Sequence, residues 1–312
     1  RRPLRQRPRL FATMLRVVFV CAAAVAVSAS SSPGTLRLRG GGPITWGKLT
    51  GAPDVLKEGY DTSSKITVNK GCDINGDTQL KAVFTRATAS SIMSKLTAKT
   101  KMQNLDIEAS IDQTGTIKGE ATYPDISPGL KLSVAGELEG GKNAKDIPAP
   151  KVSGEFVKDN MCATATIEGN SLDVGGVVEA GEVLLGATTT YDSGSGKLSD
   201  PSFAGRYKGD GFALTALLKG LKGDDIVGTY TQSVNSDLDV AGSFETSGNK
   251  FAVGAAYKLD GDSAVRGKLN SDGILNVGYS RSTTAGSSVN AGLEVNTNDL
   301  DNRKLGVSLT IQ

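Results

Sequence analysis

Histidine is absent from this chain of 312 residues, tryptophan occurs once, and aromatic side chains make up only 5% of it. Without an imidazole the chain lacks the usual general base, the usual zinc ligand and every Ser-His or Cys-His nucleophile pair. Cysteine is scarce too: Cys21 lies in an apolar leader, and Cys72 and Cys162 stand at no spacing that builds a disulfide framework or a metal site. They read as small apolar fillers on strands. Gly42-Pro43-Ile44-Thr45-Trp46-Gly47-Lys48 approaches a phosphate loop, but Leu49 occupies the position where Ser or Thr must bind magnesium. No catalytic constellation remains, so the chain is expected to be no enzyme, to carry no cofactor and to bind no nucleic acid.

Acidic residues are missing from positions 1–42, which hold eight arginines. Of 35 basic and 33 acidic residues in all, the remainder therefore has 27 against 33, and 27 − 33 = −6. The basic character belongs to the leader. In that leader Arg16 precedes an apolar stretch from Val17 to Val27, and Val27-Ser28-Ala29 resembles a signal-peptidase site. The basic, serine-containing stretch that follows is transit-like, and the two together resemble the bipartite leaders of algae with secondary plastids. Residues 1–13 precede the first methionine, Met14, and stand outside the fold. The expected organisation is a leader over 1–42, an N-terminal segment with a short helix over 43–62, and a β-rich body over 63–312.

Long apolar runs are also missing from the body: none reaches the roughly 18 residues that a spanning helix needs. Alternation is present instead. In Leu130-Lys131-Leu132-Ser133-Val134-Ala135-Gly136-Glu137-Leu138 the even positions are apolar or small and the odd ones mostly polar, which a pleated strand sorts to opposite faces. The same period runs through Met161–Glu168, Phe251–Leu259 and Leu305–Ile311. Asn75-Gly76, Thr114-Gly115, Asp210-Gly211, Asp260-Gly261 and Asp272-Gly273 stand between strands and suit tight reversals with positive φ. A tilted membrane strand of about 10 residues with its turn gives a period of roughly 14, hence about nineteen strands in the body. Gly51–Tyr60 breaks the pattern, with Pro53 placed to open a short amphipathic helix and Gly59 to end it.

Alternation alone fits a membrane barrel, a soluble β protein or a secreted adhesin. So few large side chains leave little to fill a soluble core, whereas a barrel between lipid and water needs none. The sparse aromatics count against full interfacial girdles. No Asn-x-Ser/Thr acceptor occurs, which counts against long residence in the secretory pathway.

Three segments carry a resemblance. Trp46-Gly47-Lys48-Leu49 through Asp54-Val55-Leu56-Lys57-Glu58-Gly59-Tyr60 is similar to the N-terminal helix and first strand of the eukaryotic mitochondrial porins, the voltage-dependent anion channel family. Pro128-Gly129-Leu130-Lys131-Leu132 resembles a mid-chain stretch of the same family. Tyr257-Lys258-Leu259-Asp260, Ser263, Gly267-Lys268-Leu269-Asn270-Ser271, Asn276-Val277 and Tyr279 resemble its C-terminal signature, with Gly261 departing from it. Lys304, Gly306, Leu309 and Ile311 fit the pattern by which outer-membrane assembly machinery recognises a last strand.

The resemblance implies an all-β transmembrane barrel of about nineteen strands with first and last strands parallel and a short helix inside the pore. It implies a voltage-gated diffusion pore for inorganic ions, metabolite anions and nucleotides such as ATP and ADP, in contact with the lipid bilayer. The implied address is the mitochondrial outer membrane; the leader points to a plastid envelope. Lys57, Lys131, Lys250 and Lys258 are the lumen or selectivity positions expected to attract anions, with Asp54 and Glu58 as opposing charges on the helix. The acidic body leaves the sign of selectivity open, because excess acids at turns and rims, such as Asp224, Asp225, Asp299 and Asp301, would not touch the pore.

Overall fold

The computed structural model describes residues 44–72, 78–88, 91–141, 147–221, 223, 225–283 and 286–312. The leader and the Asn75-Gly76 turn lie outside the described residues. Two short helices come first, α1 (Trp46–Thr50) and α2 (Asp54–Lys57). The strands follow as β1 (Ser64–Cys72), β2 (Thr78–Thr88), β3 (Ser91–Met102), β4 (Leu105–Asp112), β5 (Ile117–Ser127), β6 (Leu130–Leu138), β7 (Lys151–Lys158), β8 (Met161–Glu168), β9 (Ser171–Ala180) and β10 (Val183–Asp192). After a two-residue piece at Lys197–Leu198 come β11 (Ser202–Lys208), β12 (Phe212–Lys219), β13 (Asp225–Ser233), β14 (Leu238–Glu245), β15 (Lys250–Lys258), β16 (Ser263–Asn270), β17 (Ile274–Ser282), β18 (Ser288–Asn296) and β19 (Asp299–Ile311). Lys197–Leu198 and β11 pair in turn with β10 and are separated by Pro201, which has no amide to donate, so they form one interrupted stave.

Each strand pairs antiparallel with the next in sequence. The sheet then closes on itself: β1 lies parallel to β19, with Lys65, Ile66, Thr67 and Val68 opposite Ser308, Leu309, Thr310 and Ile311. The result is a closed barrel of nineteen staves. An odd number of alternating strands forces this one parallel seam, and closure leaves no sheet edge running round the wall.

Register fixes which side chains share a face, because directly opposed residues point the same way. One face carries Ile66, Phe84, Leu96, Leu132, Leu185, Leu214, Val253 and Leu305, all exposed. Every phenylalanine and tyrosine on a described strand lies on this face, from Phe84 and Tyr123 to Phe251, Tyr257 and Tyr279. Tyr207, Phe212 and Tyr230 form a row on it, with ring centroids 5.9 and 6.3 Å apart. The aromatics are few, yet all those on strands serve the apolar surface. The opposite face is charged and holds both helices, so it lines the interior. A wall apolar outside and polar inside suits lipid and water respectively, and it needs no side-chain core.

Turns follow the sequence with one exception. Gly115, Gly211 and Gly273 adopt positive φ as their Xaa-Gly pairs require, but Gly261 does not. There the Asp260 carboxylate closes the reversal, accepting the amides of Asp262 at 2.9 Å and Ser263 at 2.7 Å. A side chain that supplies the turn's acceptor removes the need for a left-handed glycine.

Candidate pore lumen and its N-terminal segment

The N-terminal segment forms two helices where the sequence suggested one. α1 turns on Leu49 N–H and Lys48 N–H, both donating to the Thr45 carbonyl. It ends at Gly51-Ala52-Pro53, because the residue before a proline is driven out of helical geometry. A Cβ on Gly51 would come within 2.8 Å of the Gly47 carbonyl oxygen, so glycine is what lets the chain leave α1 here. Pro53 caps α2 rather than opening its first turn, and Gly59 follows at φ +82.

Neither helix is long enough to stand alone. α1 is held by Leu49, fully buried among Val177 of β9, Leu184 of β10 and Ala204 of β11, with Ile44, Trp46 and Leu217 packed around them. This patch is the apolar core of the lumen. α2 rests on β14, β15 and β16. Leu56, also buried, faces Gly254, where an added Cβ would lie 2.9 Å from Leu56 Cδ2.

Past α2 the chain crosses the inner wall as a strap. Gly278, Gly292 and Gly306 are direct register partners on β17, β18 and β19. An added Cβ would overlap the Gly59 carbonyl at the first, that of Asp61 at the second and Thr62 backbone atoms at the third. The three glycines thus form a trough into which residues 59–62 are laid.

Two cations hold the strap from β16. Lys268 Nζ donates to the Leu56 carbonyl at 3.1 Å and sits 4.8 Å from the Tyr60 ring centroid. Arg266 donates to the Glu58 carbonyl at 3.4 Å, and the Tyr60 hydroxyl donates to the Val55 carbonyl at 2.6 Å. Cations at the carbonyl end of a helix are favourable, and here they saturate carbonyls that α2 leaves open.

Asp61 anchors the far end, accepting the Ser63 amide at 2.8 Å and the Ser63 hydroxyl at 2.5 Å, and pairing with Lys65 at 3.0 Å. Partial burial opposes its ionisation, but the Ser63 and Lys65 contacts outweigh it and hold the carboxyl below the ordinary range. A depressed folded value means the contact contributes fully above about pH 4 and is lost as pH falls through the folded value. Asp61→Asn is therefore expected to flatten the acid limb of barrel stability, measured as heat-modifiable mobility between pH 5 and pH 2 (roughly the carboxylate range). An unchanged limb would remove Asp61 from that role.

The luminal charges occur mostly as cross-strand neighbours of opposite sign. Lys99 pairs with Glu108 at 2.7 Å, Lys118 with Glu137 at 2.9 Å, Lys219 with Asp225 at 3.2 Å, and Lys304 with Glu294 at 2.8 Å. Lys95 and Lys101 stand opposite Asp112 and Asp106. Many remaining acids lie in turns, among them Asp159, Asp200, Asp210, Asp237, Asp262 and Asp272. The acidic excess of the body is thus largely displaced from the pore wall.

The sequence-derived charged positions are luminal but dispersed. Asp54, Lys57 and Glu58 are exposed on and just after α2. Lys131 faces Glu155 across β6 and β7, and Lys250 faces Glu245 across β14 and β15. Lys258 ends β15, where its Nζ donates to the Ser236 carbonyl at 3.1 Å. Gly306 belongs to the trough, while Leu309 and Ile311 stand at the β1–β19 seam. Sequence reading missed α1's anchor, Arg266 and the trough. A signal existed for the trough, since Gly278, Gly292 and Gly306 recur at the spacing of one strand plus one turn.

The family model for eukaryotic porins matches residues 47–306. The chain is 26% identical over 278 residues to the voltage-dependent anion-selective channel of Drosophila melanogaster, covering 84% of this chain and 95% of that protein. It is 21% identical over 268 residues to mitochondrial outer membrane protein porin 3 of Arabidopsis thaliana, covering 84% and 94%. A solved mutant of the Rh. blastica porin overlaps with a TM-score of 0.44 and 11% identity, over 69% of this chain and 88% of that one. With a family match running almost from α1 to the last strand, over a closed barrel that carries its N-terminal segment inside, this chain belongs to the eukaryotic porin family.

Proposed function

We propose that this chain is a voltage-dependent diffusion pore of the mitochondrial outer membrane, with a preference for small anions and metabolites such as ATP and ADP, and that it catalyses no reaction. The observation that carries this reading is a closed wall apolar on one face and charged on the other, in a family whose relatives are named as voltage-dependent anion-selective channels and mitochondrial outer membrane porins. A water-filled lumen with charged walls passes ions by diffusion and selects by the sign of its uncompensated charge. Because most luminal charges neighbour one of opposite sign, the selectivity is expected to be weak.

Assembly machinery that reads Lys304, Gly306, Leu309 and Ile311 is part of the same reading, as is passage past Lys57, Lys131, Lys250 and Lys258 with Asp54 and Glu58 opposing. The leader over 1–42 favours a plastid envelope as the second address.

Reconstitution of the full chain in a planar bilayer under a KCl gradient tests the proposal. Stepwise conductance that falls at higher voltage, with a reversal potential on the anion side, is expected. Cation preference would keep the pore and overturn its anion preference. Folded protein without conductance would return the chain to the secreted β-rich class.

A further inference from the structure

Most luminal cations on the strands are already engaged. Those of β3, β5, β6, β7, β12 and β19 face or pair with acids on neighbouring strands, as Lys151 does with Glu168 at 3.9 Å, and Lys208 pairs with Glu179 at 3.5 Å. Lys65 holds Asp61, and Lys250 faces Glu245. Arg266 and Lys268 bind strap carbonyls, Arg206 donates to the Thr215 hydroxyl at 2.8 Å while half-buried, and Lys258 is bound at a turn.

Lys81 on β2 differs from all of these. It is exposed on the luminal face, its direct partners are Asn69 on β1 and Thr97 on β3, and the next charges along β3 are the cations Lys95 and Lys99. Among the described residues, the acid that lacks an opposed cation on this side of the lumen, Glu120, lies three strands away on β5. At the spacing of strands in a sheet that is about 14 Å, well beyond a Debye length of about 8 Å at physiological salt.

The helices leave this wall free. α1 covers β9–β12 and α2 covers β14–β16, while the strap crosses β17–β19. A permeating ion therefore passes along the uncovered strands that include β2.

We propose that Lys81 is the principal selectivity-determining residue of the pore, the wall position at which small inorganic anions and phosphate groups are drawn to an uncompensated ammonium. This rests on the channel reading above. Paired lysines offer a permeating anion a dipole that decays quickly with distance, whereas Lys81 offers a net charge with its donors unspent.

The test is the reversal potential of single channels of the full chain under a KCl gradient, repeated with potassium phosphate. Lys81→Gln is expected to lower the anion-to-cation permeability ratio roughly two-fold, and Lys81→Glu further, by the screened Coulomb energy of one charge a few ångströms from the ion. Lys158→Gln makes the same change in net charge at the end of β7, on the face turned away from the lumen, and is expected to leave the ratio nearly unchanged. The double variant Lys118→Gln/Glu137→Gln, which deletes an ion pair, is expected to do the same.

An unchanged ratio in Lys81→Gln, or an equal shift in Lys158→Gln, overturns the proposal while the channel reading stands, because every such channel conducts. Absence of conductance in the unsubstituted chain defeats the channel reading itself. Should Lys81→Gln fail to assemble, Lys81→Cys treated in the bilayer with a cationic thiosulfonate reports on channels already conducting. Reaction should restore the anion preference, and no change on reaction would overturn the assignment.

Discussion

Gly306→Val is expected to abolish the closed barrel, read as loss of the heat-modifiable, protease-resistant form after refolding into detergent or lipid. The added side chain would overlap Thr62 backbone atoms, and backbone cannot swing aside as a flexible side-chain tip can. Thr62 is two residues from the start of β1, and β1 makes the parallel seam through only four register pairs, from Lys65–Ser308 to Val68–Ile311. Displacing the strap therefore displaces the strand that closes the wall. Unpaired backbone groups facing lipid cost several kcal/mol each, so a seam that opens by a few residues exceeds the roughly 5–15 kcal/mol that holds a typical domain together.

The control is Gly267→Val, one position from Lys268 but on the lipid-facing side of β16, where an added Cβ meets nothing within 4 Å. It is expected to be neutral or slightly stabilising, since valine suits a strand and the bilayer better than glycine does. Equal damage from both substitutions would mean that glycine matters here for a reason other than the strap.

Leu49→Ala is expected to release α1 from the wall. Leu49 is fully buried, and removing most of such a side chain costs about 2–5 kcal/mol. Apart from Trp46, packed on the same patch, α1 has little to hold it: five residues, no side-chain hydrogen bond at its N-cap and no acid in its first turn. The native thiol of Cys162 reports the event. It lies on the luminal face opposite Val177, the β9 residue that shares the buried cluster of Leu49, and is 2% exposed.

In a background with Cys21→Ser and Cys72→Ser, a water-soluble maleimide is expected to label Cys162 at least about 30-fold faster in Leu49→Ala, the factor that ~2 kcal/mol implies. Lys268→Met, which loosens the strap without touching the Leu49 patch, is expected to leave that rate within about two-fold of the parent. Unchanged labelling in Leu49→Ala would show that α1 is retained by contacts other than its apolar anchor.

The sequence carried the wall. Alternation at Leu130–Leu138 and Met161–Glu168 places apolar residues on the lipid face, as the strands β6 and β8 show, because a pleated strand admits only two side-chain directions. The family resemblance, read on local motifs, carried the strand number and the parallel seam. Part of the acidic excess of the body was legible in turn pairs such as Asp210-Gly211 and Asp272-Gly273, but Asp225, read as a rim or turn acid, lies on β13 and pairs with Lys219 at 3.2 Å.

The lumen was another matter. That Lys131 and Lys250 face acids, that Lys268 is bound to a strap carbonyl and that Lys81 stands between Asn69 and Thr97 are consequences of register between strands. Register between strands is a property of the closed sheet rather than of any one strand. In the same way Gly278, Gly292 and Gly306 read along the chain as ordinary strand glycines, each separated from the next by a hairpin. Only closure sets them side by side and lays residues 59–62 across them, because the first strand can meet the last only if the chain before it passes along the inner wall.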